Sequence, residues 1–279
     1  MIFDEDCMNR NSEENFRHIR KKAALRLLRM HYESKSGHVG GNFSCLDALL
    51  VLHHSVMTQE DRFILSKGHS AGALYVALWS LGLLSDADLE TFCRENTALP
   101  GHPSGLGIPN LLFPTGSLGH GPSLAAGLAL ALKGRRATGR VFCLCSDGEW
   151  QEGSCWEALI FAVRQRLGNL VFLVDQNGLQ GFGSTQEVAG VSDLAPRFQA
   201  FGAAVACADG HDPNAILRAL APRDGGEGPP VADGRPQVVV LRTRKGNGLH
   251  YEGKLESHYL PLSAEQYETA VQRINAGEA

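Results

Sequence analysis

Several features that would indicate other classes of protein are missing from this sequence. The chain has 279 residues, a formal net charge of −4 and no basic run interleaved with aromatic residues, which argues against a nucleic-acid partner. Its seven cysteines are an odd number without a CxxC spacing, which disfavours both a zinc site and a disulfide framework. Cys143 and Cys145 lie in an apolar run and are interpreted as small core residues.

Targeting and membrane signals are also absent. The amino-terminal sequence MIFDEDCMNRNSEENF has no basic segment followed by a long apolar one, so it does not have the pattern of a signal peptide. No uninterrupted apolar run approaches the length that spans a membrane, and there is no internal repeat. We therefore expect a cytoplasmic protein with no membrane partner, built as one domain over residues 1–279 in which residues 1–12 form a flexible tail.

The sequence does contain strand-like apolar runs that alternate with helical segments. Strands are predicted at 141–145, 169–174, 202–208 and 237–243. Helices are predicted at 13–32, 45–56 with Ser44 as its cap, 68–81, from Ser85 onwards, 122–133 opened by Pro122, and 214–220. The Pro- and Gly-rich segment 222–236 is interpreted as a surface loop. This alternation predicts an α/β fold with a doubly wound, mostly parallel sheet and helices on both faces.

Two polar segments, SDGE at 146–149 and VDQNGL at 174–179, follow successive predicted strands. Asp147 offers a carboxylate, Asn177 an amide oxygen and Leu179 a main-chain carbonyl, and Gly148 lets the main chain approach a phosphate closely. Such hard oxygen ligands suit Mg²⁺, and open α/β sheets bind ligands at the carboxyl ends of their strands. The pair predicts a magnesium and diphosphate site, with two solvent-exposed turns as the alternative.

Five motifs in a fixed order give this pair a context: SGHVGGNFS (36–44), DRFILSKGHSAGALY (61–75), GHP (101–103), TGSLGHGPSLAAGLALALK (115–133) and SDGEWQEGSCWEA (146–158). With them, the sequence resembles the amino-terminal half of a transketolase from about residue 16 to about residue 271. The two polar segments resemble the thiamine diphosphate motif, although Ser146 replaces its first glycine and Asn177 is its only asparagine. The resemblance implies a thiamine diphosphate-binding fold that uses thiamine diphosphate and Mg²⁺.

Four histidines stand at positions that resemble active-site histidines of the family. The resemblance implies that His69 and His258 lie near the cofactor diphosphate, and that His38, His102 and His258 are catalytic residues around the substrate hydroxyls. Imidazole suits proton transfer near neutral pH, although each histidine taken alone would be interpreted as a structural or surface residue. Tyr259 follows His258 where the family usually has glycine, and it could occupy space that a substrate would otherwise use.

The resemblance implies that the main chain of Gly116, Ser117 and Leu118 contacts the cofactor. The same segment could equally be a tight turn that needs glycine. The resemblance also places the counterpart of Glu152 at a subunit interface, in a carboxylate network that couples two cofactor sites. His120 receives no role. Arg62 and Lys67 carry a charge that suits phosphate, but Arg62 opens a strand beside Asp61 and fits a surface pair as well, so neither is assigned.

In this family a glutamate of a following pyrimidine-binding domain activates the cofactor, and the sequence ends at Ala279 without that domain. We therefore expect the amino-terminal subunit of a two-component transketolase-like enzyme that transfers a two-carbon ketol unit from a ketose or 2-oxoacid donor to an aldehyde acceptor. The expected partner is a carboxy-terminal, pyrimidine-binding subunit in an α₂β₂ heterotetramer. Two alternatives stay open: the α subunit of a 2-oxoacid dehydrogenase, which should lack the histidine motifs, and a non-catalytic scaffold subunit with the same fold.

Overall fold

A five-stranded sheet forms the centre of the computed structural model, which describes residues 13–104, 107–108, 111–220 and 234–277. Its strands are β1 (Arg62–Leu65), β2 (Val141–Ser146), β3 (Leu170–Gln176), β6 (Ala204–Asp209) and β7 (Gln237–Arg242). They lie in the order β1-β2-β3-β7-β6, and every neighbouring pair is parallel. Parallel strands require long crossovers, which helices supply here. The predicted tail at 1–12 and most of the predicted loop at 222–236 lie outside the described residues.

The remaining elements surround this sheet. A two-stranded antiparallel hairpin, β4 (Leu179–Gln180) and β5 (Gly183–Ser184), follows β3 directly. The helices are α1 (Glu13–Ser34), α2 (Val39–Val51), α3 (Ala71–Ser80), α4 (Asp86–Leu89), α5 (Gly121–Gly134), α6 (Gly153–Arg164), α7 (Thr185–Ala189), α8 (Ala195–Ala200), α9 (Pro213–Leu220), α10 (Glu256–Tyr259) and α11 (Ala264–Ala276). None of the described helices is long and apolar enough to cross a membrane.

The sheet buries both of its faces, which explains why its strands are continuously apolar in sequence. Because side chains alternate along a strand, Phe142 and Leu144 of β2 join the core formed with α1, α2, α3, α9 and α11. Cys143 and Cys145 point to the opposite core, formed with α5, α6 and α8. The prediction that both cysteines are core residues is confirmed, and so is the predicted fold class of a parallel sheet with helices on both faces.

The local helix signals were correct in two places and wrong in one. Ser85 caps α4 in a reciprocal capping box with Asp88, and Pro122 lies just inside the start of α5. Ser44 does not cap a helix, because α2 begins at Val39 and places Ser44 in its interior. The Ser44 hydroxyl instead lies 2.5 Å from a carboxylate oxygen of Asp175 and 3.0 Å from the carbonyl of Gly41, and it can donate to either acceptor.

Candidate active site

A cavity of about 520 Å³ opens beyond the carboxyl ends of β2 and β3. Its lining includes most of the residues that the sequence singled out: His38, His69, His102, Gly116, Leu118, Asp147, Gly148, Asn177, Leu179 and His258. These residues come from seven separate stretches of the chain, and the fold brings them to one edge of the sheet. Ser117 is the exception, since its side chain is exposed and does not line the cavity.

The three predicted metal ligands lie together on one wall of this cavity. The Asp147 carboxylate accepts hydrogen bonds from the backbone amides of Gly148 at 2.8 Å and Gly178 at 2.6 Å. The Asn177 amide oxygen accepts from the backbone amide of Leu179 at 3.1 Å, which fixes its position beside the Leu179 carbonyl. Main-chain contacts thus orient the side-chain oxygens of Asp147 and Asn177 before any ligand arrives.

The chemistry of this set fits a divalent magnesium ion. Burial, and after it the negative charge of Asp175, raises the pKa of Asp147 to about 6, and Asp147 makes no ion pair with any described residue. A bound divalent cation would offset that penalty. Within the described chain, no three or more His, Cys, Asp and Glu side chains form a group that could hold a metal. A carboxylate, an amide oxygen and a carbonyl are oxygen donors of the kind that Mg²⁺ takes, with phosphate oxygens and water completing its shell.

A buried ion pair that the sequence did not reveal supports this wall from below. Lys67 and Asp175 are both fully buried and pair directly, and the Lys67 ammonium also donates to the Gly41 carbonyl at 3.0 Å. Burial alone would lower the pKa of Lys67, but the pair with Asp175 outweighs it and the pKa is raised. Asp175 also accepts from Thr243 and, at 3.3 Å, from the Asn177 amide nitrogen. That last contact directs the amide oxygen of Asn177 away from Asp175, so the ion pair helps to orient a predicted metal ligand.

Glu149 performs a similar task for the adjoining turn. Its buried carboxylate accepts from the backbone amides of Gly119 at 2.9 Å and Ser146 at 3.3 Å, and from the Ser66 hydroxyl. The contacts join the end of β1, the end of β2 and the turn that precedes α5. A Cβ on Gly68 would come within 2.8 Å of the Gly116 backbone, so the same turn needs a glycine opposite it.

The four predicted histidines form one cluster at the other side of the cavity. The ring centroid of His38 lies 5.6 Å from that of His69, 5.7 Å from that of His102 and 4.8 Å from that of His258. His38 has a left-handed backbone with a φ of 62°, and its buried Nδ1 has no hydrogen-bond partner among the described residues. A non-glycine residue in that conformation is uncommon and is found in turns as well as at functional sites, so the unpartnered Nδ1 is the stronger indication of a ligand here.

All four imidazoles have lowered pKa values. Burial is the main cause, and it lowers the pKa of His38 to about 4 and that of His258 to about 3. Neighbouring groups that can carry positive charge add to the effect, with His102 acting on His38 and Lys245 acting on His258. The pKa values of His38 and His258 therefore lie well below neutral pH. At neutral pH the histidines are neutral, so each has one ring nitrogen that donates and one that accepts.

Lys245 is a further residue of the site that the sequence did not indicate, in addition to the buried pair of Lys67 and Asp175. It is 2% exposed and lines the cavity, where its ammonium contacts the Leu179 carbonyl at 3.0 Å and His258 Nδ1 at 2.8 Å. Burial, and then the charge of Lys67, lowers the pKa of Lys245 to about 8. Its position gave an available signal, because it follows the end of β7 and the carboxyl ends of strands are where ligands bind.

The rim of the cavity is exposed and partly apolar. Phe182 is 87% exposed, and Val188 and Tyr259, which also line the cavity, are exposed. The Tyr259 hydroxyl donates to the Gly181 carbonyl at 2.5 Å, which ties α10 to the β4-β5 hairpin across the cavity. Glu152 also lines the cavity and is exposed. His120 lies near the carbonyls of Ser117 and Leu118 at the start of α5, outside the cavity lining.

The parallel α/β sheet, the oxygen donors at its strand ends and the adjoining histidines define a cofactor-dependent enzyme domain with a metal and diphosphate site. Residues 19–277 match the family model described as transketolase, thiamine diphosphate binding domain. The chain therefore belongs to the transketolase family.

Two bacterial relatives match over most of their own length, and both are named as subunits of transketolases. One belongs to the apulose-4-phosphate transketolase of Phocaeicola vulgatus, and the chain is 36% identical to it over 91% of this chain and 92% of the relative. The other is the 6-deoxy-6-sulfo-D-fructose transketolase subunit SqwG of a Clostridium species, which is also 36% identical, over 85% of this chain and 88% of the relative.

Longer transketolases match over a smaller share of their length. Among solved structures, the transketolase of Leishmania mexicana superposes with a TM-score of 0.83 at 26% identity, over 93% of this chain and 41% of that one. The human transketolase is 34% identical over 86% of this chain and 38% of its own length. The chain thus spans about two fifths of these longer relatives.

These findings confirm the predicted family, the predicted thiamine diphosphate-binding fold and the assignment to transketolase-type transferases. The predicted cofactor, thiamine diphosphate with a divalent metal, is confirmed by the same family membership. The alternative of a 2-oxoacid dehydrogenase α subunit is not favoured, since the relatives named above are transketolases.

Proposed function

We propose that this chain is the diphosphate-binding subunit of a two-component transketolase. It transfers a two-carbon ketol unit from a ketose donor to an aldehyde acceptor, together with a separate pyrimidine-binding polypeptide in an α₂β₂ heterotetramer in the cytoplasm. The observation that carries the proposal is the convergence of His38, His69, His102 and His258 with the oxygen donors of Asp147, Asn177 and Leu179 around one cavity.

The two sides of the cavity have different tasks in this proposal. Asp147, Asn177 and Leu179 hold the metal that binds the cofactor diphosphate, and Gly148 leaves room for the phosphate beside the main chain. Thiamine diphosphate, when bound, supplies the electron sink for breaking and making the carbon–carbon bond. The side chains of His38 and His102 make no hydrogen bond with the predicted metal ligands in the described structure. They can therefore bind substrate hydroxyls and accept or donate a proton.

The partner is supported by the exposed rim and by the relatives. An apolar residue as exposed as Phe182, which lines the cavity together with the exposed Tyr259, is a suitable contact for a second polypeptide. The two bacterial relatives of similar length are named as subunits. In the proposed assembly the partner covers this rim and supplies the groups that activate the head of the cofactor.

The donor is proposed to be a ketose with an anionic group at the end remote from the reacting carbonyl. The two relatives are named for apulose 4-phosphate and 6-deoxy-6-sulfo-D-fructose, which both carry such a group. Their shared feature is an anion on a short ketose, and sugar phosphates and sulfo-sugars are therefore the first donors to test.

Reconstitution with a candidate partner tests the proposal. The purified chain and the polypeptide encoded beside it should form a complex whose mass corresponds to two copies of each. That complex should transfer ketol units from at least one phosphorylated or sulfonated ketose to an aldehyde, in a reaction that needs both thiamine diphosphate and Mg²⁺. Unphosphorylated ketoses and a 2-oxoacid form the comparison panel.

Either of two results would overturn the proposal. Ketol transfer by the purified chain alone, at the rate of the reconstituted pair, would remove the need for a partner. Turnover of a 2-oxoacid in preference to every ketose in the panel would move the enzyme to another class of thiamine diphosphate chemistry.

A further inference from the structure

Lys245 stands apart from the other charged groups of the cavity because no described carboxylate pairs with it. Its ammonium has two protein contacts, the Leu179 carbonyl at 3.0 Å and the Nδ1 atom of His258 at 2.8 Å. The side chain is 2% exposed, so water does not satisfy it freely. The charged groups that act on the pKa of Lys245 are Lys67, Asp147 and Asp175. None of them forms a salt bridge with Lys245.

The contact with His258 determines which ring nitrogen carries the proton. A lysine ammonium has three donors and no acceptor, so the nitrogen that faces it must accept. A neutral imidazole has one protonated and one unprotonated nitrogen. If Nδ1 accepts from Lys245, the proton of a neutral His258 is on Nε2.

We infer that Lys245 is a positioning residue that fixes His258 in the Nε2-protonated tautomer, so that His258 faces the cofactor site as a hydrogen-bond donor. The inference rests on the proposed function only for what His258 donates to. A protonated Nε2 suits a phosphate oxygen or a substrate hydroxyl or carbonyl oxygen, all of which accept. The opposite tautomer would present a lone pair to a phosphate or carbonyl oxygen and repel it.

The backbone around His258 supports a fixed ring. The His258 carbonyl accepts from the His38 amide at 2.8 Å, and its amide donates to the Leu255 carbonyl at 2.9 Å. The neighbouring Tyr259 is held through its hydroxyl to Gly181. Because the backbone and Nδ1 are both held, the direction of Nε2 is set before any ligand binds. This is the arrangement by which supporting contacts orient a functional imidazole elsewhere, and removing such contacts often costs about 10- to 100-fold in function.

The tautomer is measurable in the unloaded chain. The full-length protein, labelled with ¹⁵N in its histidines, is studied at pH 7 by long-range ¹H–¹⁵N correlation, with the His258 signals assigned through the variant His258→Gln. We expect His258 to show a protonated Nε2 and an unprotonated Nδ1. In Lys245→Met this pattern should give way to the averaged signals of an unconstrained imidazole, and Lys245→Arg, which keeps a donor, should restore it.

Matched controls separate this effect from a change in fold. Lys254→Met removes an exposed lysine from the same region and should leave the His258 signals unchanged. If Lys245→Met does not fold, the unaltered protein still decides the matter, because a protonated Nδ1 on its His258 contradicts the inference outright. An unchanged tautomer in a folded Lys245→Met protein contradicts it equally.

The reconstituted enzyme gives a second readout. Lys245→Met should lower kcat for ketol transfer by about 10- to 100-fold while KM for the acceptor changes less, and Lys245→Arg should recover part of the loss. A wrong tautomer in an active enzyme would refute the role of Lys245 and leave the proposed function standing. A correct tautomer in a chain that transfers no ketol group would refute the proposed function and leave the role of Lys245 standing.

Discussion

The two buried lysines near the active site have opposite surroundings. Lys67 lies beneath the predicted metal ligands and forms a direct ion pair with Asp175, and the pKa of Lys67 is raised. Lys245 lies in the cavity beside a carbonyl and an imidazole, and its pKa is lowered to about 8. The difference shows where the protein satisfies its own charges and where it leaves positive charge for an anionic ligand. We therefore expect the charge of Lys67 to matter for stability and the charge of Lys245 to matter for ligand binding and for the orientation of His258.

The largest expected effect tests this difference through stability. Lys67→Met leaves Asp175 as an uncompensated buried charge, which should reduce the free energy of unfolding by about 3–5 kcal/mol. Lys245→Met removes a buried cation that has no carboxylate partner among the described residues, and it should change the same quantity by less than about 1 kcal/mol. Urea denaturation of the two variants beside the unaltered chain measures both values.

The double variant Lys67→Met/Asp175→Leu provides the control. Replacing both members of a buried ion pair with apolar side chains is often close to neutral, so at least half of the lost stability should return. Equal losses in the two lysine variants would show that their surroundings do not differ in the way described.

Two buried histidines, His31 and His258, can be compared through the effect of acid pH on stability. Burial is the main cause that lowers the pKa of His31 to about 4, whereas at His258 the charge of Lys245 adds to the effect of burial. A lowered histidine pKa means that the unfolded chain binds more protons between about pH 6.5 and 4. The contribution of His31 to stability is therefore complete above pH 6.5 and is lost as the pH falls through that window, by about 3 kcal/mol at pH 4.

His31→Leu should reduce the loss of stability between pH 7 and pH 4 by roughly that amount, while the exposed His18→Leu should not. Unfolding curves across this range measure the difference. The same slope in His31→Leu and in the unaltered protein would show that His31 titrates normally.

The polar residues at the strand ends could be predicted from the sequence, but the buried ion pair that lies beneath them could not. Asp147 and Asn177 could be placed because each follows an apolar run that is buried in a parallel sheet. Lys67 and Asp175 are 108 residues apart, and a charged residue is usually exposed, so no local pattern indicated that they pair. The cap assigned to Ser44 was wrong for a similar reason, since the Ser44 hydroxyl contacts the carboxylate of Asp175, 131 residues away in sequence, and α2 begins before it at Val39.

A smaller effect is expected where the turn before α5 is held. Glu149→Gln replaces one carboxylate oxygen with an amide group, and a hydrogen bond to Gly119, Ser146 or Ser66 is then lost. The thermal unfolding midpoint should fall by an amount equivalent to about 1–3 kcal/mol, the cost of leaving a buried group without its partner. The exposed Glu157→Gln is the control, and an equal change in both variants would contradict the role given to Glu149.

The smallest expected effect concerns the rim. Tyr259→Phe removes the hydrogen bond to Gly181 and should cost no more than about 1 kcal/mol of stability, because the side chain is exposed. Tyr259→Gly, which restores the residue usual in the family, should change kcat/KM by a few fold and unequally among donors of different size. A uniform change across the donor panel would show that Tyr259 does not limit the space for substrate.

Asp147 and its neighbours are proposed to hold the cofactor diphosphate through a divalent metal. The affinity of the enzyme for thiamine diphosphate is the quantity that decides whether they do. Calorimetric titration of the cofactor into the assembled enzyme, with Mg²⁺ and again with a chelator, compares the unaltered chain with Asp147→Ala. We expect tight binding only for the unaltered chain with Mg²⁺, and a loss in affinity of at least about 100-fold in Asp147→Ala, because a direct metal ligand should cost no less than its supporting contacts. Unchanged, Mg²⁺-dependent binding by Asp147→Ala would contradict the account.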